Sequence, residues 1–218
     1  MRGALGLLVL LAGGSLASCE RTVVRTTHYA GGRPWSEVRF RRGIPQGLWT
    51  TWHESGQMES EGRYSEGRRD GEWTTGYEDG RPQSRGSFSR GVPEGEWSFW
   101  FPDGKPASVE HFLAGRLHGS SREWYGSGTL RAEVEFVEGE QHGTSRRYYP
   151  NGQLRDEFTF DHGIRQGPQK SWFENGQLLS EGECSHGSYQ GPWTFYRWNG
   201  EVNERLSGLY ESGARVGP

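Results

Sequence analysis

A 24-residue pattern runs through this chain, restarting at Gly43, Gly67, Gly91, Gly115, Gly139, Gly163 and Gly187. Each copy has Gly at its first, fifth and fourteenth positions and, in most copies, an aromatic residue at the eleventh and Tyr or Phe at the twenty-second. A unit this short cannot bury a core alone, so copies must stack on their neighbours, and a fold built around one enclosed pocket is disfavoured. Only 31% of residues are hydrophobic, which on its own would raise the question of disorder. The net charge of -3 and the 10 Trp, 10 Phe and 9 Tyr answer it, because aromatics supply the apolar area that aliphatics do not. The 35 Gly recur at fixed offsets with no triplet period, which marks them as turn residues.

Within a copy the signals are those of a β-hairpin. Ser55-Gly56, Asp79-Gly80, Asp103-Gly104, Ser127-Gly128, Asn151-Gly152, Asn175-Gly176 and Asn199-Gly200 provide a small polar residue and a Gly, as two-residue turns require. That turn fixes a register in which position eight faces nineteen, seven faces twenty and eleven faces sixteen. At eight and nineteen it pairs Arg122 with Glu133, Arg146 with Glu157 and Lys170 with Glu181, each opposite in charge. At seven and twenty, large faces small: Trp49 with Gly62, Trp73 with Gly86, Ser121 with Val134 and Ser145 with Phe158. Extended backwards, the period adds a copy from Cys19, with Val24 to Tyr29 as its first strand, Gly31-Gly32 as its turn and Phe40 at position twenty-two. The expected fold is all-β, an elongated single-layer antiparallel sheet of about eight 24-residue hairpins starting near residues 19, 43, 67, 91, 115, 139, 163 and 187.

The register also divides the side chains between two faces. The packed face carries Trp49, Trp73, Trp97 and Trp193 together with the aromatics of positions eleven and twenty-two and the sixteenth-position Met58, Leu130, Leu154 and Leu178. The other carries Trp52, Trp100, Trp124, Tyr148, Trp172 and Tyr196 at position ten, among charged residues such as Glu59, Arg131 and Arg155. Such a ladder of rings is either a contact surface for a partner or an intramolecular cover, with Arg131 and Arg155 stacking on Trp124 and Tyr148.

The recurring string, as in Gly167-Pro168, Ser171-Trp172-Phe173-Glu174-Asn175-Gly176-Gln177-Leu178 and Glu181-Gly182, resembles the variant MORN repeat of bacterial proteins. Some of those proteins are described as antitoxins of toxin–antitoxin pairs. The resemblance covers residues 29 to 217 and implies a twisted single-layer sheet without a catalytic centre, acting in protein binding or membrane attachment.

The first residues carry a different signal. Met1-Arg2 is a short basic start, Ala4 to Ala12 is apolar, and Leu16-Ala17-Ser18-Cys19 matches a bacterial lipobox, so residues 1–18 read as a lipoprotein signal peptide and 19–218 as the repeat domain. The apolar run is too short for a transmembrane helix. Lipid on Cys19 would anchor the chain in the cell envelope, on the inner or outer membrane, facing the periplasm or the surface. It would also leave Cys184 unpaired at position twenty-two, as a small buried hydrophobe.

No GxSxG, GxxxxGK followed by Ser or Thr, HExxH or paired-Cys motif occurs, so no catalytic residue is assigned. With acids slightly outnumbering bases, nucleic acid is not an expected partner. His118 and His142 share position four, and His162 and His186 share position twenty-four, along one rim. A metal could sit there, yet Gln46, Asp70, Glu94, Gln166 and Gln190 show that position four does not require His, and no metal or other cofactor is assigned. The function expected is a membrane-anchored scaffold that binds a protein or envelope polymer without catalysing a reaction. The alternatives are an antitoxin or immunity-like protein and a passive spacer. Edge pairing between two copies through the C-terminal strand is a further expectation.

Overall fold

A computed structural model describes residues 22–218, and the lipobox with Cys19 lies outside them. All described regular structure is β, in two compact units divided between Lys105 and Pro106. The first contains β1 (Thr22–His28), β2 (Pro34–Arg41), β3 (Ile44–Trp52), β4 (Met58–Ser65), β5 (Arg68–Gly76), β6 (Pro82–Ser89) and β7 (Val92–Trp100). Each strand pairs antiparallel with the next. The second contains β8 (Pro106–Leu113), β9 (Arg116–Leu117), β10 (Gly119–Trp124), β11 (Leu130–Val137), β12 (Glu140–Gln141), β13 (Gly143–Tyr148) and β14 (Leu154–Asp161). It continues with β15 (Ile164–Trp172), β16 (Leu178–Ser185), β17 (Ser188–Phe195), β18 (Gly208–Glu211) and the short terminal strand β19 (Ala214–Gly217). Here too the ladder is antiparallel and sequential. The first hairpin, β1 with β2, stands where the backward extension of the period puts it.

The turns correct the sequence expectation. Two-residue turns do occur, but at the junction of copies: Glu66 and Gly67 have φ of 50° and 78°, and His162 and Gly163 have 45° and 77°. Both central residues are left-handed, as in a type I′ turn. The small polar residue and Gly at thirteen and fourteen belong instead to a three-residue loop with a Gly bulge. In one such loop Tyr77 N–H donates to Arg81 O and Gly80 N–H to Tyr77 O, at 2.8 and 2.9 Å. The polar side chain turns back on the backbone, with the Gln153 N–H donating to Asn151 Oδ1 at 2.9 Å and the Arg81 N–H to Asp79 Oδ1 at 3.0 Å.

This loop holds one residue more than a two-residue turn, and a bulge in the following strand absorbs it. Position ten therefore pairs with sixteen, not seventeen, and the expected pairing of eleven with sixteen is not formed; Trp52 faces Met58 and Trp124 faces Leu130. Position seventeen is the extra residue, and beyond it the expected register returns. Arg122 faces Glu133, Lys170 faces Glu181 and Trp49 faces Gly62.

The buried side is built from positions seven, nine, eighteen, twenty and twenty-two. Trp73, Trp193, Thr51, Ser36, Ser84, Ala132, Val38 and Cys184 are all buried. The ring covering each strand glycine comes from the following copy. A Cβ at Gly62 would lie 2.2 Å from Trp73, one at Gly86 2.1 Å from Trp97, and one at Gly182 2.3 Å from Trp193. In that pose each indole N–H donates to the carbonyl of position twenty-one: Trp73 to Arg63 O, Trp97 to Ser87 O and Trp193 to Glu183 O. Aromatic contacts extend the row, Tyr64 meeting Trp73 at 5.3 Å and Phe88 meeting Trp97 at 5.0 Å. The C-terminal end is closed by Cys184, Trp193 and Tyr210, with Tyr189 and Phe195 packed against them.

Candidate binding faces

All six tenth-position rings are half-buried. In the first unit Trp52 and Trp100 are separated by Gly76, where position ten has no side chain. In the second unit Trp124, Tyr148, Trp172 and Tyr196 occupy four consecutive copies. In both units eleventh-position tyrosines tie neighbouring copies together, each hydroxyl donating to the tenth-position carbonyl one copy on; the step from Trp172 to Tyr196 has no such bond, since Phe173 stands at position eleven there. The pairs are Tyr29 to Trp52 at 2.8 Å, Tyr77 to Trp100 at 2.7 Å, Tyr125 to Tyr148 at 2.8 Å and Tyr149 to Trp172 at 2.9 Å. His53 makes the same reach to Gly76 O. A tyrosine that reads as a core aromatic in the sequence is thus a clamp between copies.

The charged pairs beside these rings form as the register requires. Arg122 meets Glu133 at 3.0 Å, Arg146 meets Glu157 at 2.7 Å and Lys170 meets Glu181 at 3.2 Å. The two tyrosines join them: Tyr148 donates to Glu133 at 3.4 Å and Tyr196 to Glu181 at 3.2 Å. Burial, then the neighbouring Glu133 charge, raises the Tyr148 phenol above its ordinary value. Burial and the bond to Glu181 do the same for Tyr196. The four indoles at position ten make no hydrogen bond among the described residues. In the second unit Trp124 and Trp172 are thus apolar surface beside charges that are already paired.

A second feature lies on the buried side of the second unit. Where four other copies place Trp at position seven and the copy from Gly163 places Gln169, Ser121 and Ser145 leave a hollow of about 500 Å³. Ala132, Val134 and Phe136 line it, together with Glu123, Arg131, Arg147, Arg155 and the ladder residue Tyr148. The stacking of Arg131 on Trp124 and Arg155 on Tyr148, one of the two readings of the ladder, does not occur among the described residues. Arg131 and Arg155 occupy the bulged position seventeen, so their side chains join the hollow: Arg131 pairs with Glu123 at 3.6 Å and lies 5.9 Å from the Tyr125 ring. Arg155 pairs with Asp156 at 2.8 Å. Arg147 makes no side-chain bond among the described residues. Position nine is the signal that would have revealed this hollow. It holds Thr51, Thr75, Phe99, Ser171 and Phe195 elsewhere, but Glu123 and Arg147 here.

Cys184 is 2% exposed, and burial raises its thiol above the ordinary value, with Arg165 opposing the shift. This is an inert thiol.

A family model described as a MORN repeat variant matches residues 45–66, 93–114, 117–138, 141–162 and 165–183. The chain carries variant MORN repeats. The full-length matches run from position three to position twenty-four, so a MORN unit here is one hairpin from just after one type I′ turn into the next. The hairpin following Gly67, outside these matches, is the one with Gly76 in place of the tenth-position ring. The hairpin following Gly187 carries extra residues folded into a turn, with Leu206 and Ser207 N–H donating to Asn203 O. No curated protein matches the chain.

Proposed function

We propose that this chain is a bacterial lipoprotein, anchored through Cys19, whose MORN repeats bind another protein of the cell envelope without catalysing a reaction. The observation that carries the reading is the run Trp124, Tyr148, Trp172 and Tyr196, the first three tied copy to copy by the Tyr125 and Tyr149 clamps, and the run flanked by paired charges. Large rings with little conformational entropy to lose are the side chains that most often dominate protein contacts. Pairing the neighbouring charges internally lowers the cost of covering them, since neither partner is left alone on burial. The lipobox supports the anchoring half. A photo-activatable residue at Trp124 is expected to cross-link the chain to a second envelope protein, and C19S is expected to move the chain out of the membrane fraction. No adduct with a second protein overturns the binding reading. Full retention of C19S in the membrane fraction overturns the anchor.

A further inference from the structure

In most copies position four has one structural task, which is to cap the next type I′ turn. Gln46 Oε1 accepts the Glu66 N–H at 2.8 Å, Asp70 that of Arg90 at 3.3 Å, Gln166 that of His186 at 2.9 Å and Gln190 that of Ser212 at 3.2 Å. In the copy from Gly139 the residue is His142, and its Nδ1 is shielded from water with no hydrogen-bond partner. It lies 3.4 Å from Asp161 Oδ1, and that same oxygen is 2.7 Å from His162 Nδ1. The two imidazoles touch, with centroids 5.3 Å apart. One donor atom from each of the three residues lies within 4.8 Å of the others.

We infer that His142, Asp161 and His162 form a binding site for a divalent transition metal, Zn²⁺ being the probe of choice. Two imidazoles and one carboxylate are a donor set that Zn²⁺ accepts, leaving one tetrahedral position for water. Donors about 2.1 Å from a tetrahedral centre stand about 3.4 Å apart, which is the separation already held between His142 and Asp161. The Asp161 and His162 pair is closer, and a metal would replace their hydrogen bond. The backbone carrying the two imidazoles is held at both ends: His162 stands in its type I′ turn at φ 45°, and the His142 N–H donates to Glu135 O at 2.9 Å. His142 Nδ1 makes no hydrogen bond that a cation would have to displace.

The repeat supplies its own controls. His118 also has an unpartnered Nδ1 at position four, but Val137 and Glu138 stand at twenty-three and twenty-four of its copy. His186 shares position twenty-four, but Gln166 and Ser185 stand at the other two. Only the copy from Gly139 brings three ligating side chains to these positions.

The test is calorimetric titration of the full chain with Zn²⁺. One saturable site per chain is expected, weakened at least tenfold by each of H142Q, D161N and H162N and unchanged by H118Q and H186N. H142Q restores the cap used by the other copies, and Asn tolerates the left-handed turn, so these variants keep the fold. A melting temperature taken with and without Zn²⁺ checks this: the metal should raise it in the parent chain and not in H142Q. Absence of a saturable site overturns the inference, as does Zn²⁺ binding to the H142Q and H162N variants as tightly as to the parent. Weakening by H118Q or H186N equal to that by H142Q also overturns it, since binding would then be a general property of surface histidines.

Discussion

Gly86 shows how one missing side chain organises the packing around it. The Trp97 ring lies where its Cβ would be, 2.1 Å away; Gly86 is paired with Trp73 on its other side, and the Trp97 indole N–H is bonded to Ser87 O, so the ring cannot withdraw without losing that bond. G86A is therefore expected to destabilise the first unit by at least the cost of overpacking a core, about 1–3 kcal/mol, in a denaturant titration. G31A, at a site with nothing within 4 Å, should change stability far less. The same register position explains the hollow. Where Trp and Gly are exchanged for Ser121 with Val134 and Ser145 with Phe158, no indole spans the strands and Arg147 stands in the gap. That aromatics face glycines was legible from the period alone. Which copy's ring covers which glycine was not, because each glycine sits between two tryptophan positions and only the strand twist and rotamer choose between them.

At the scale of the hairpin, the pairing of seven with twenty and eight with nineteen follows from sequence because charge and size complement each other across the strands. The turn type does not, because Asn-Gly and Asp-Gly favour two different turns: both residues left-handed, or a three-residue loop in which the Asx side chain bonds the backbone and only Gly is left-handed. The sequence expectation chose the first and the molecule uses the second. The bulge at position seventeen hides the difference from every pair beyond it, and it carries Arg131 and Arg155 to the other face. The tyrosine clamp was equally illegible, since position eleven reads as one more core aromatic. Y149F removes the 2.9 Å bond to Trp172 O while keeping the ring, and should cost about 0.5–1.5 kcal/mol. Amide exchange should quicken first around Trp172, whereas uniform exchange across the second unit would argue that the clamp adds nothing.

Over the whole molecule, each unit is a run of hairpins joined by short turns, its strands pairing with their neighbours inside that unit. What distinguishes one stretch from another is decoration: four consecutive tenth-position rings in the second unit, one hollow with three arginines, and one turn with three metal-ligating side chains. The central claim is that the tenth-position rings of the second unit are the contact face. Its most direct measurement is the affinity of the purified full chain for the protein cross-linked at Trp124, compared among the parent, W124S/W172S and R147A. Loss of an anchoring Trp typically costs about 2 kcal/mol, close to 30-fold. W124S/W172S should therefore reduce affinity by at least that much with the melting profile retained, and R147A should leave it unchanged. Parent-like binding by W124S/W172S, with affinity lost only in R147A, would contradict the account and move the contact to the hollow around Arg147, which Tyr148 also lines.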